Sequence, residues 1–135
     1  MRQKILIVDD QAEVGTYIST VAESMGYQVT MTTASRQALG LFKSVQPDLV
    51  ILDIVMPEID GIELLRSFVG AGYTGHVLFL TGFSPSYLES ADKLAGRYGL
   101  KSVTTMMKPL RLQTLRQFLV VTIPLDASSD AGKDA

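Results

Sequence analysis

The chain has no cysteine at all among its 135 residues. Disulfide, thiolate and Cys-zinc chemistry are therefore excluded. It has a single histidine, His76, which cannot build a His-rich metal site alone. It has little net charge: −2, with a pI near 5.3. That leaves no electrostatic footprint for nucleic acid or for an anionic membrane. No apolar run approaches the ~20 residues of a membrane span. The opening Met1-Arg2-Gln3-Lys4 leads into a run too short for the apolar region of a signal peptide. These absences predict a soluble cytoplasmic protein with no membrane partner.

What is present fits one globular domain. Hydrophobic residues make up 47% and charged residues 19%, and the length suffices to bury a core without staples. Short apolar runs alternate with amphipathic stretches five times. Strands are predicted over Lys4–Val8, Tyr27–Thr32, Leu49–Leu52, His76–Leu80 and Ser102–Met107. The first, third and fourth are almost unbroken aliphatic segments, as in strands covered on both faces.

Between them apolar residues recur at helical steps. Val14, Ile18, Val21 and Met25 form one such stripe, stopped by Gly26. Ala38, Leu41, Phe42 and Val45 form a second, ending before Pro47. Ile62, Leu65, Phe68 and Val69 form a third, flanked by Gly61 and Gly70. Ser84-Pro85 is a helix start signal, and a fourth helix is predicted over Pro85–Tyr98, with Gly99 ending it. Leu112, Leu115, Phe118 and Leu119 carry the fifth. Five strand–helix units imply a parallel α/β sheet with right-handed crossovers and helices on both faces. We place the domain at residues 1–122. Residues 123–135 are expected to be a flexible tail or a truncated linker, since no large apolar residue occurs from Asp126 on.

Polar residues sit where the apolar runs stop. Asp9 and Asp10 end the first, Asp53 the third, Thr81 follows the fourth, and Lys108-Pro109 closes the fifth. In an open parallel sheet those ends gather in one crevice, where ligands bind. Clustered carboxylates repel one another and hold a cation. A hard, oxygen-liking ion such as Mg2+ suits them. A lysine and a hydroxyl opposite suit a phosphoryl group. A carboxylate beside a cation can attack phosphorus and form an acyl phosphate. Pro109 restricts Lys108 and permits a cis bond. Each residue alone also fits a plain structural role as a cap, turn or solvated side chain.

Taken together, Asp9-Asp10, Asp53-Ile54-Val55-Met56-Pro57 with Gly61, Thr81-Gly82 and Lys108-Pro109 resemble the receiver domain of bacterial two-component response regulators. The resemblance spans roughly residues 4 to 121. It implies a flavodoxin-like (βα)5 fold with strand order 2-1-3-4-5. It implies a signalling module, not an enzyme acting on an external metabolite. Asp53 would accept a phosphoryl group from a phosphohistidine on a sensor histidine kinase or a phosphotransfer protein. Asp10 and Asp53 would ligate Mg2+ by side chain, the Val55 carbonyl would be a third ligand, and Asp9 would hold a metal-bound water. Lys108 would pair with phosphoryl oxygens. The Thr81 hydroxyl would move toward them and carry the following loop with it. The added charge would then switch a protein-interaction surface.

The match has departures. The family usually places an aromatic switch residue three before the lysine; here that residue is Thr105. The stretch from Thr81 to Lys108 is longer than is common. The fifth helix runs on as Phe118-Leu119-Val120-Val121, which suggests a patch covered by a homodimer, a partner or a missing effector domain, or else a lead into an ordered tail. No helix-turn-helix or basic region follows Val121, so output is expected through a protein partner unless a longer regulator was cut. Val55 and Phe83, beside the site, suggest slow self-dephosphorylation. A pseudo-receiver that only binds partners is an alternative reading. A haloacid-dehalogenase-like phosphatase fits less well, because Asp9-Asp10-Gln11 lacks that family's Asp-x-Asp.

Overall fold

A computed structural model describes residues 2–82 and 91–125. The elements run β1 (Lys4–Val8), α1 (Ala12–Ser24), β2 (Gln28–Thr32), a 3-10 turn (Ser35–Gln37), α2 (Ala38–Val45), β3 (Leu49–Asp53), α3 (Gly61–Gly70), β4 (His76–Thr81), α4 (Ala91–Tyr98), β5 (Ser102–Met107) and α5 (Leu112–Thr122). The five strands are all parallel, in the order β2-β1-β3-β4-β5. This is the doubly wound α/β sheet expected from the alternation of runs. The predicted bounds hold to within a residue: Tyr27 precedes β2, while Asp53 and Thr81 belong to their strands as last residues. The start of the fourth helix at Ser84-Pro85, its residues Tyr87 and Leu88, and Phe83 lie outside the described residues, as does the tail from Asp126.

The aliphatic runs are unbroken because each central strand feeds two cores. Leu6, Val8, Val50, Leu52, Val77 and Phe79 face one layer, where Phe42 of α2 and Leu64, Leu65 and Phe68 of α3 pack. Ile5, Ile7, Leu49, Ile51, Leu78 and Leu80 face the other, against Ile18 and Val21 of α1 and Leu115 and Leu119 of α5. Side chains alternate along a strand, so each neighbour pair splits between the layers. Phe42 stacks on Phe68 at 4.5 Å between ring centroids. β2, at the edge, is only half-buried.

Tyr27 fixes the end of α5. Its buried hydroxyl lies 2.8 Å from the Ile123 carbonyl oxygen and 3.1 Å from that of Leu119, which also accepts from the Ile123 amide at 3.0 Å, and donates to these acceptors at the helix end. Ile123 is buried and Leu125 packs against Gly26. Packing thus continues three residues past the boundary read from the sequence. Val120 and Val121 remain exposed on the outer side of α5. No helix among the described residues is long and apolar enough to cross a membrane.

Candidate functional site

The register of the sheet builds the site. Val8 pairs with Leu52, Asp53 with Leu80, and Thr81 with Met107. Asp9, Asp53, Thr81 and Lys108 are therefore brought together at the carboxyl ends of adjacent strands. The sequence-predicted residues do converge, although they lie up to a hundred positions apart.

Each is held by the backbone around it. Asp9 is buried; its amide donates to the Thr32 carbonyl at 3.2 Å, and its Oδ1 accepts from the Gln11 amide at 2.9 Å. Asp10 is exposed at the mouth. Asp53 is buried at the tip of β3. The Lys108 amide donates to the Thr81 carbonyl at 2.8 Å, which ties the β5–α5 loop to β4. The Lys108–Pro109 peptide is cis. Lys108 Nζ then lies 3.0 Å from Asp9 Oδ2, 3.4 Å from Asp53 Oδ2 and 2.6 Å from Gln11 Oε1.

Gly61 is required by close approach. A Cβ there would come within 2.4 Å of the Asp53 carbonyl oxygen. The Gly61 amide donates to the Ile54 carbonyl, and the Ile54 amide donates to Leu80 on β4, each at 2.9 Å. The loop after Asp53 is thus folded tightly over the end of β3. Val55 is 54% exposed at its outer turn, and among the described residues no backbone amide donates to its carbonyl.

One lysine does not balance three acids. The Asp53 carboxyl is pushed up from 3.8 to about 7. Burial contributes most, followed by the charge of Asp9 and a hydrogen bond with Asp10; Lys108 opposes them. Asp9, Asp10 and Asp53 each offer a carboxylate oxygen, all within 4.8 Å of one another. Asp9 Oδ2 is buried, and its charged neighbour is Lys108 Nζ at 3.0 Å. An all-oxygen set with more negative charge than the one lysine balances fits a hard divalent cation. The same crevice offers an ammonium and a hydroxyl for a phosphoryl group.

Two contributors were not legible beforehand. Gln11 completes the contacts of Lys108, yet it reads in sequence only as a neutral residue after two acids. Asp60 caps α3 by accepting from the Glu63 amide at 2.9 Å; the Asp-Gly pair before an apolar stripe was the available signal. Thr105 sits half-buried in β5, paired in register with Phe79.

These features define a class. The family of the response regulator receiver domain matches residues 5–119, and the chain belongs to that family. Members are signal-transduction modules typically phosphorylated on an aspartate with Mg2+. The chain is similar to sporulation initiation phosphotransferase F of Bacillus subtilis, with 30% identity over 95% of this chain and 99% of that protein. It is also similar to the alkaline phosphatase synthesis transcriptional regulatory protein PhoP of B. subtilis, with 32% identity over 71% of this chain but only 38% of that protein. Among solved structures it resembles the Vibrio cholerae chemotaxis protein CheY4, with TM-score 0.76 and 25% identity, covering 91% of this chain and all of that one.

Proposed function

We propose that Asp53 is the phosphoryl acceptor and that the crevice around it is the reaction site. One observation carries the reading: Asp53 Oδ2 lies 3.4 Å from Lys108 Nζ inside the Asp9–Asp10–Asp53 cluster. The Asp53 carboxylate attacks the phosphorus of a phosphohistidine. The new P–O bond forms as the P–N bond breaks, and the imidazole leaves with its electron pair. Lys108 Nζ pairs with the incoming equatorial oxygens, and the Thr81 hydroxyl approaches a second one. Asp10, Asp53 and the Val55 carbonyl, with Asp9 behind them, would hold a Mg2+ ion, which would supply neutralisation of the phosphoryl charge.

The donor is a sensor histidine kinase or a phosphotransfer protein. A groove of about 510 Å3 lined by Gln11, Val14, Tyr17, Lys108, Pro109 and Leu110 opens beside the site. Its apolar rim next to the nucleophile supports docking of a helix that presents the phosphohistidine. Val55, exposed at the mouth, shields the acyl phosphate from water and makes self-dephosphorylation slow. Output then runs through the face of α4, β5 and α5. With Thr105 in place of an aromatic, it runs without the aromatic flip usual in the family. A cytoplasmic setting belongs to this reading.

The test is intact mass after incubation with Mg2+ and a small phosphodonor. We expect a gain of one phosphoryl group in the wild type and none in Asp53→Asn. An equal gain in both proteins would move the acceptor elsewhere.

A further inference from the structure

Four polar or charged side chains are buried among the described residues: Asp9, Asp53, Thr81 and Ser35. Three line the crevice. The fourth does not, yet it is bonded to the crevice's framework. Ser35 opens the 3-10 turn between β2 and α2. Its Oγ donates to the Pro57 carbonyl at 3.2 Å. The next residue, Arg36, is ion-paired with Glu58. Pro57 and Glu58 belong to the loop between β3 and α3, the same loop that carries Val55.

That loop needs holding. Glu58 has φ 72°, a left-handed backbone that a non-glycine residue adopts at a cost. The Ile59 amide turns back to the Pro57 carbonyl at 3.0 Å, so Pro57 accepts two bonds. The other end of the strap is also anchored. Thr32 Oγ1 accepts from the Ala34 amide at 3.1 Å, and the Thr32 carbonyl accepts from the Asp9 amide at 3.2 Å. A continuous chain of contacts thus runs from Asp9 through Thr32 and Ser35 to the loop after Asp53. The Arg36–Glu58 pair is largely solvated and contributes little. The buried hydroxyl is the stronger tie, because leaving a buried polar group unpaired is expensive.

We propose that Ser35 is a positioning residue: through the Pro57 carbonyl its hydroxyl fixes the loop bearing the Val55 carbonyl, and so sets the crevice's affinity for a divalent cation. The proposal rests on the reading that Asp10, Asp53 and Val55 hold Mg2+. Outer partners of metal ligands tune affinity by orienting them. Loss of one such tie should weaken Mg2+ binding about three- to ten-fold.

The experiment is a titration of the intact chain with Mg2+ alone, followed by amide NMR shifts, with hydrogen exchange measured before metal is added. Ser35→Ala is expected to raise the Mg2+ dissociation constant and to speed exchange at Ile59 and Gly61. Arg36→Gln, which leaves the core untouched, is expected to shift the constant the same way but less. Should Ser35→Ala fail to fold, Ser35→Cys decides, because a thiol is a weak donor in place of the hydroxyl: weaker Mg2+ binding supports the strap, and an unchanged constant overturns it. Lower thermal stability in Ser35→Ala with an unchanged constant would show a structural role only and overturn the proposal. Absence of Mg2+ binding by the wild type would overturn the metal reading and this inference together.

Discussion

Replacing Asp53 by Asn should stabilise the metal-free protein, and the gain should depend on pH in a defined way. The Asp53 carboxyl sits at about 7 in the folded chain against an ordinary 3.8, chiefly through burial and then the charge of Asp9. A carboxyl raised on folding destabilises the native state once it is ionised. The penalty is absent below about pH 4, where both states hold the proton. It grows between about pH 4 and 7 and stays constant above. A displacement of that size is worth about 4 kcal/mol at full value. Water reaches the mouth of the crevice at exposed Asp10, and the screening it provides reduces this to about 2 kcal/mol. Asn is nearly isosteric and carries no charge. Urea unfolding in EDTA, followed by circular dichroism at about pH 4.5, 6 and 8, measures the difference between the two proteins. The gain should be smallest at the lowest pH, about a quarter of its full value, and largest at the highest. A variant no more stable than wild type at pH 8, or a gain that does not shrink at acid pH, would refute the electrostatic account. Mg2+ should raise the wild-type midpoint by mass action and leave Asp53→Asn nearly unchanged.

Lys108→Ala should slow phosphoryl acceptance about 10²-fold, read from the time course of mass gain, because the charge facing Asp53 is lost; an unchanged rate would remove Lys108 from the chemistry. Gly61→Ala should destabilise the fold by about 2 kcal/mol or more in urea unfolding, since the new Cβ meets the Asp53 carbonyl oxygen. Tyr27→Phe should lower stability by about 1 kcal/mol, and amide exchange should quicken at the end of α5, where the hydroxyl's two acceptors lie; protection equal to wild type there would mean the cap is dispensable.

The α/β alternation was legible because its signals are local. Unbroken aliphatic runs such as Lys4–Val8 and Leu49–Leu52 demand cover on two faces, and Gly26 and Gly99, with φ of 106° and 65°, end helices as read. Asp9, Asp10, Asp53, Thr81 and Lys108 were legible for the same reason: each stands where an apolar run stops. Gln11 and Ser35 were not. Their roles depend on partners 97 and 22 positions away, and nothing in their neighbours marks them. Tyr27 reads as a core aromatic, yet its hydroxyl does its work at Ile123.

By itself, then, the sequence determined which residues end the strands and hence which chemistry reaches the crevice. Strand pairing alone decided the rest. The register sets Asp53 beside Asp9 and Lys108, and burial there moves its carboxyl to about 7. The displacement is a property of distances and of water exclusion, and neither exists along an unfolded chain.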